Sequence, residues 1–205
     1  MAERARELIR NTGVFAIGSL STKLLSLLMV PLYTTVLSTA DYGTVDVIGT
    51  FTGLLAPLVT LSVYDAVFRW ALDDANDAST AFSNALVVWA SSMLIFSSIC
   101  VGLAALDVAY IGYFWFMVVL GSLGAICSSL VRGLGYVKLF TVAGIVSSVV
   151  FMTLNLVFLL QLELGLTGYL LASAISAVVS LLVVSFGARV WQYWHATVVQ
   201  PARMQ

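Results

Sequence analysis

Six long apolar stretches alternate with short polar joints along the chain, at residues 14–37, 44–67, 81–106, 109–131, 140–162 and 167–190. Each reaches the roughly 20 residues that a helix needs to cross the hydrocarbon core of a bilayer. Residues 38–43 read as a turn, 72–80 as an acidic loop, Asp107 as a single-residue break, 132–138 as a joint holding two glycines, and 163–168 as the last hairpin;. Joints this brief force neighbouring helices to run antiparallel. The pattern therefore predicts an all-α membrane protein of six transmembrane helices. Residues 1–13 form a cytoplasmic N-terminal segment, 14–190 the six-helix lobe and 191–205 an interfacial tail.

Composition strengthens that reading. Of 205 residues, 61% are hydrophobic and only 9% charged, and the mean hydropathy is +1.05, too little polar surface to cover a water-soluble globule of this size. Nine basic residues against ten acidic ones give no clustered positive face for a nucleic-acid partner. The basic residues orient the chain instead. Arg4, Arg6 and Arg10 precede the first span, Arg69 follows the second, Arg132 and Lys138 the fourth, and Arg189 and Arg203 the sixth, whereas the other three joints hold none. Short cytoplasmic loops retain Lys and Arg, so both termini are expected in the cytoplasm and the chain is expected to be a multi-pass protein of the inner (cytoplasmic) membrane. The first span is longer than a removable signal peptide and lacks a small-residue cleavage site, so it is expected to stay as an anchor. Cys100 and Cys127 fall inside apolar runs without metal-site or redox spacing and read as small core residues;.

Trp70, Trp89, Trp191, Tyr193 and Trp194 lie near predicted span ends, at headgroup level, and Trp115 lies deeper;. Gly121 with Ala125, Gly124 with Ser128, Gly144 with Ser148 and Ser173 with Ala177 place small residues four apart, a pattern that lets helix backbones approach;. Pro31 and Pro57 interrupt the first two spans and free a carbonyl one turn earlier, which makes those helices candidates for bending around a cavity;.

The ninth cation is Lys23, inside the first span and roughly 14 Å from its edge at 1.5 Å per residue;. A lysine at that depth costs a few kcal/mol, so it should face a wet cavity or a partner. Its flexible stem also suits snorkelling to the headgroups. Ser19, Thr22 and Ser26 keep the surrounding turns small and polar, which favours the cavity and, with it, an anionic ligand;. Asp46, near the outer end of the second span, is expected to reach water in a structural role. Asp65 and Arg69, four apart, read first as a structural pair on one helix face;. Their alternative role is at the mouth of a pathway or gate, with Asp65 as counter-charge to Lys23. Asn155 reads first as the donor or acceptor of an interhelical hydrogen bond and second as a pathway contact;.

Asp73, Asp74 and Asp77 resemble a short Mg²⁺-diphosphate cluster;. No second acidic set stands in another cytoplasmic joint, so a solvated loop is the better reading. His195, the single histidine, has no nucleophile or carboxylate pair around it;. The sequence thus points away from an enzyme and away from a metal site or cofactor.

The stretch Ser21-Thr22-Lys23-Leu24-Leu25-Ser26 through Val30-Pro31-Leu32-Tyr33-Thr34-Thr35-Val36-Leu37-Ser38, with Asp41-Tyr42-Gly43 and Ala66-Val67-Phe68-Arg69, resembles the opening of Wzx-type polysaccharide flippases. Val131-Arg132-Gly133-Leu134-Gly135-Tyr136-Val137-Lys138-Leu139-Phe140 and Leu164-Gly165-Leu166-Thr167-Gly168-Tyr169-Leu170-Leu171-Ala172 are similar to that family's fourth-to-sixth helix region. The resemblance implies a member of the multidrug/oligosaccharidyl-lipid/polysaccharide exporter superfamily. Its members set two six-helix lobes around a cavity open alternately to either side, as in MATE-like transporters. It further implies a lipid-linked oligosaccharide substrate such as an O-antigen unit for lipopolysaccharide, carried on undecaprenyl pyrophosphate. Lys23, which falls in the matching motif, would meet the pyrophosphate, with Ser19 and Ser26 beside it. A lipid II flippase, a multidrug antiporter and a non-transporting membrane scaffold are the alternative functions. Relatives run to twelve or fourteen helices and this chain has six, so the expected partner, besides membrane lipids and the substrate, is a second six-helix lobe. A homodimer, a separately encoded lobe and a fragment without transport activity all fit that expectation.

Overall fold

The computed structural model describes Gly13, Leu20, Lys23, Leu24, residues 27–73 and residues 75–194, with the backbone alone for 75–77. Every regular element among them is helical. After α1 (Leu27–Val36) come α2 (Thr39–Val59), α3 (Val63–Asp73), α4 (Ala75–Ala104), α5 (Ile111–Gly133), α6 (Val137–Asn155, continued by a widened turn Leu156–Gln161) and α7 (Gly165–Gly187). A final 3₁₀ turn, Val190–Tyr193, follows. Five of these helices are long and apolar enough to cross a membrane, and α1 is a shorter apolar helix in its described part.

Three joints depart from the sequence expectation. Residues 39–43, expected in a turn, open α2, because Ser38 and Asp41 form a capping pair: the Asp41 N–H donates to Ser38 Oγ (3.1 Å), and the Ser38 hydroxyl donates to Asp41 Oδ2 (2.7 Å);. The single span expected over 44–67 is two helices. Pro57 sits inside α2, three residues before the C-cap at Thr60, whose N–H and hydroxyl both turn back to the Ala56 carbonyl at 3.1 and 2.7 Å;. Leu61 and Ser62 then adopt left-handed φ of 52° and 50°, which swings α3 into a new direction;. The acidic loop expected over 72–80 is short: α3 runs to Asp73 and α4 starts at Ala75. Ala78, Phe82 and Ala85 explain why, since they recur at helical spacing and are all buried;.

The main core joins α3, α4, α5, α6 and α7 at the end of the bundle that carries Arg69, Arg132, Lys138 and Arg189. Val67, Ala71, Ala78, Phe82, Ala85, Ile126, Leu130 and Val131 fill it. Close backbone approach occurs here at Gly133, where a Cβ would collide with Ala71 and lie 3.0 Å from the Phe68 carbonyl, whereas Gly187 makes room for a side chain, with Leu139 Cδ1 2.5 Å from where its Cβ would stand;. Two of the four small-residue pairs expected from the sequence behave otherwise, because a Cβ at Gly121 or Gly124 would meet open space.

Two tryptophans pin α4 to α5. Trp89 Nε1 donates to Ser122 Oγ and Trp115 Nε1 to Ser97 Oγ, each at 2.8 Å. Trp89 is therefore a mid-bundle crosslink and not the span-end ring expected, whereas Trp191 and Trp194 are exposed as expected of interfacial rings;. The Tyr193 carbonyl accepts from Ser79 Oγ at 2.8 Å, which ties the last described turn to α4. Both cysteines are buried and unpaired, as core residues should be.

Candidate functional site

Lys23 is helical and exposed, and it makes no hydrogen bond or ion pair with any described residue. At 100° per residue Leu27, Val30 and Thr34 lie within about 40° of its direction and are exposed, whereas Tyr33 and Met29 lie about 80° and 120° round the helix and are buried, as is Leu37 in the bend after α1;. Met29, Tyr33 and Leu37 pack with Leu159 of the widened turn, and that contact seats α1 on α6. Lys23 thus falls on the exposed stripe of Leu27, Val30 and Thr34, about a quarter to a third of a turn from the residues that pack on the lobe;. Ser19, Thr22 and Ser26 lie outside the described residues, as do Asp74 and His195.

Asp65 and Arg69 are exposed on α3 and form no ion pair with each other or with Lys23. This corrects the pairing expected from their spacing; two long exposed side chains gain too little from a surface pair to be held in one geometry. Asn155 is fully buried, but its Nδ2 donates to the Phe151 carbonyl of its own helix at 2.8 Å, and its Oδ1 has no partner. The expected interhelical bond is absent at this side chain. Immediately after it the helix widens, with the Leu162 N–H reaching back five residues to the Val157 carbonyl at 3.0 Å;.

Two further groupings escaped the sequence reading. At the basic end, the Arg132 guanidinium lies between Phe68 of α3 and Phe140 of α6, with Cζ 5.2 and 5.1 Å from the ring centroids;. Its Nη2 donates to Ser129 Oγ at 3.2 Å, while its Nε is buried without a partner. A topological role had sufficed for Arg132; in the structure it also clamps three helices. No local sequence signal announces this, because Phe68 and Arg132 meet only through tertiary packing.

At the opposite end, tyrosines from four helices converge. Tyr33 of α1 meets Tyr169 of α7 edge-on (centroids 5.1 Å, 80°), and Phe151 of α6 meets the same ring at 5.5 Å and 86°;. Tyr113 of α5 shares a 2.5 Å hydrogen bond with Ser173 of α7. Tyr42 and Asp46, one turn apart on α2, lie within electrostatic reach of Tyr169, as does Tyr113. The signal in the sequence was faint: Tyr42 with Asp46 and Tyr169 with Ser173 are each four apart, so each pair shares a helix face;.

With this geometry in hand, the chain can be set beside known proteins. Its fold is similar to that of a solved structure described as the outward-facing conformation of a multidrug resistance MATE family transporter of the MOP superfamily. The TM-score is 0.69 at 19% identity, over 96% of this chain and 48% of that one. The chain spans about half the length of that structure. A fold of one MATE-like lobe follows from the match. Among curated proteins none matches the sequence. A family model described as "Polysaccharide biosynthesis protein" matches residues 8–204. An all-helical multi-pass lobe and a family match over nearly the whole chain meet in one conclusion, that this chain belongs to the polysaccharide biosynthesis protein family.

Proposed function

We propose that the chain is a six-helix lobe of a flippase that moves lipid-linked oligosaccharides across the inner (cytoplasmic) membrane during surface polysaccharide assembly, O-antigen among them. The observation that carries the reading is an exposed Lys23 within the first apolar run, without a hydrogen bond or ion pair among the described residues, in a lobe that belongs to a polysaccharide biosynthesis family. A second six-helix lobe, from another copy or another chain segment, faces Lys23 and closes the cavity by parallel-repeat symmetry. The ammonium then meets a pyrophosphate in a medium of low dielectric, where a single charge acts far more strongly than in water. Translocation by alternating access requires no covalent step, so the protein acts as a transporter and not an enzyme.

The test is lipid binding and flipping by the complete assembly in nanodiscs and proteoliposomes. Losing one charge-assisted contact costs about 1.5–3 kcal/mol, so Lys23→Gln should weaken binding of undecaprenyl pyrophosphate roughly ten- to a hundredfold while sparing an uncharged polyprenol. Equal losses for both lipids would remove Lys23 from the substrate path.

A further inference from the structure

Among the described residues, four buried side-chain polar atoms lack a hydrogen-bond partner, and two of them belong to the region where α1 meets α6. These are the Tyr33 hydroxyl and Asn155 Oδ1, on residues that are 7% and 0% exposed. Phe151, Asn155 and Leu159 stand four apart along one stripe of α6, and Phe151 and Leu159 both pack in the cluster around Tyr33;. Asn155 is thereby held between neighbours of Tyr33. Inside a bilayer no bulk water relieves such groups, so each orphaned atom raises the energy of the arrangement that strands it. The two atoms are complementary, since a phenol can donate and an amide oxygen only accepts.

The backbone beside Asn155 is strained in a matching way. Directly after it, α6 opens into the widened turn, where the Leu162 N–H reaches five residues back to the Val157 carbonyl (3.0 Å) and the Leu164 N–H six back to the Phe158 carbonyl (2.9 Å). Such a turn carries one residue too many for an α-helix and marks a segment able to change register. Two packing contacts hold it open. Leu159, 1% exposed, is wedged against Met29 and Tyr33 of α1. Phe158 abuts the start of α7, where a Cβ on Gly168 would stand 3.0 Å from Phe158 Cβ. The cluster at Leu159 shares no residue with the main core, so this seat can shift while the core stays intact.

We propose that Tyr33 and Asn155 are the two halves of a latch, open in this structure, which closes when the widened turn regains α-helical spacing and the Tyr33 hydroxyl donates to Asn155 Oδ1. Closure satisfies both orphaned atoms with one bond and moves Leu159, so α1 exchanges one seat on α6 for another. Because α1 carries Lys23, the latch sets where that cation stands relative to α6, whatever it meets there. The device goes beyond the flippase reading and does not depend on it.

The test is double electron–electron resonance on the full chain in nanodiscs, with Cys100→Ala and Cys127→Ala as background and spin labels at Leu28 and Leu160, both exposed. With Tyr33 and Asn155 in place, two distance populations should appear, one of them matching this structure. Tyr33→Phe keeps the ring against Tyr169 and removes only the donor, and it should raise the ratio of open to closed by roughly fivefold;. Asn155→Val should do the same. The double variant should match the single ones, because each removal breaks the same bond. A second label pair at Leu94 and Leu182, exposed on α4 and α7, should keep one unchanged distance in every variant and so report an intact bundle. A single population with Tyr33 and Asn155 in place overturns the proposal. So does a two-population distribution that Tyr33→Phe leaves untouched, and so do effects of the two variants that multiply independently, as two unrelated packing faults or two separately hydrated groups would give.

Discussion

The two ends of this helical lobe are built on opposite principles. At the basic end the apolar core is dense, although Asp65 and Arg69 stand exposed beside it: Val67, Leu130, Val131 and Ile126 are wholly buried, Gly133 rides against Ala71, and Arg132 is gripped between Phe68 and Phe140. At the other end, Asp46 and the hydroxyls of Tyr42, Tyr33 and Tyr169 have no hydrogen-bond partner among the described residues, and α2, which runs from that end toward the basic one, buries no residue. The difference teaches where the packing that stabilises this fold is concentrated. Packing at the basic end holds the helices in register, so polar groups without partners at the other end cost stability without dismantling the bundle.

Mutations should break this contrast in a graded way. The largest effect is expected from Gly133→Val, whose side chain collides with Ala71 and the backbone of α3; a loss of about 3 kcal/mol or more should appear in unfolding of the lobe in detergent;. Next comes Arg132→Ala, which removes both ring contacts and should cost about 2 kcal/mol;. Hydrogen exchange would localise the damage, with protection falling in α3 before α7. Trp89→Phe and Trp115→Phe each delete one bond to a serine and should cost about 1 kcal/mol apiece, additively in the double variant, since Ser122 and Ser97 are separate acceptors;. Asn155→Val should raise stability by up to about 1 kcal/mol by removing an amide oxygen that has no partner;. A fall in flipping rate in that variant would place Asn155 in the transport cycle, and an unchanged rate would leave it as a packing fault. The smallest effect is expected at Gly121→Ala, a gain of about 0.5–1 kcal/mol, because its Cβ enters open space and alanine loses less backbone freedom in a helix;. A large loss there in the assembled protein, absent from the isolated lobe, would mark Gly121 as a contact to a second lobe.

Much of the architecture was legible from apolar run length. The spans over 109–131, 140–162 and 167–190 correspond to α5, α6 with its widened turn, and α7 within a few residues at each end. The second span was misjudged because the residues after Pro57 remain apolar: hydropathy is blind to the left-handed φ of Leu61 and Ser62 that divides 44–67 into α2 and α3;. The small-residue pairs misled for a related reason. A glycine shows that close approach is allowed, but only the neighbouring helix decides whether it happens, as it does at Gly133 and not at Gly121;. In the candidate site, Lys23 stood out because a cation inside an apolar run is costly on its own terms, whereas tyrosines near span ends are ordinary and drew no notice.

By itself, the sequence determined that the chain is helical, that it threads a membrane in short antiparallel passes, and that its cations gather at alternate joints, since these follow from solvation of the backbone and of single side chains. Only the tertiary structure decided that Asp65 and Arg69 form no ion pair, that Arg132 is a clamp, and that Tyr33, Phe151 and Tyr113 gather around the Tyr169–Ser173 face of α7. Such facts depend on distances between residues far apart in the chain. Helix crossing and side-chain volume set those distances, and neither is written in any local stretch of residues.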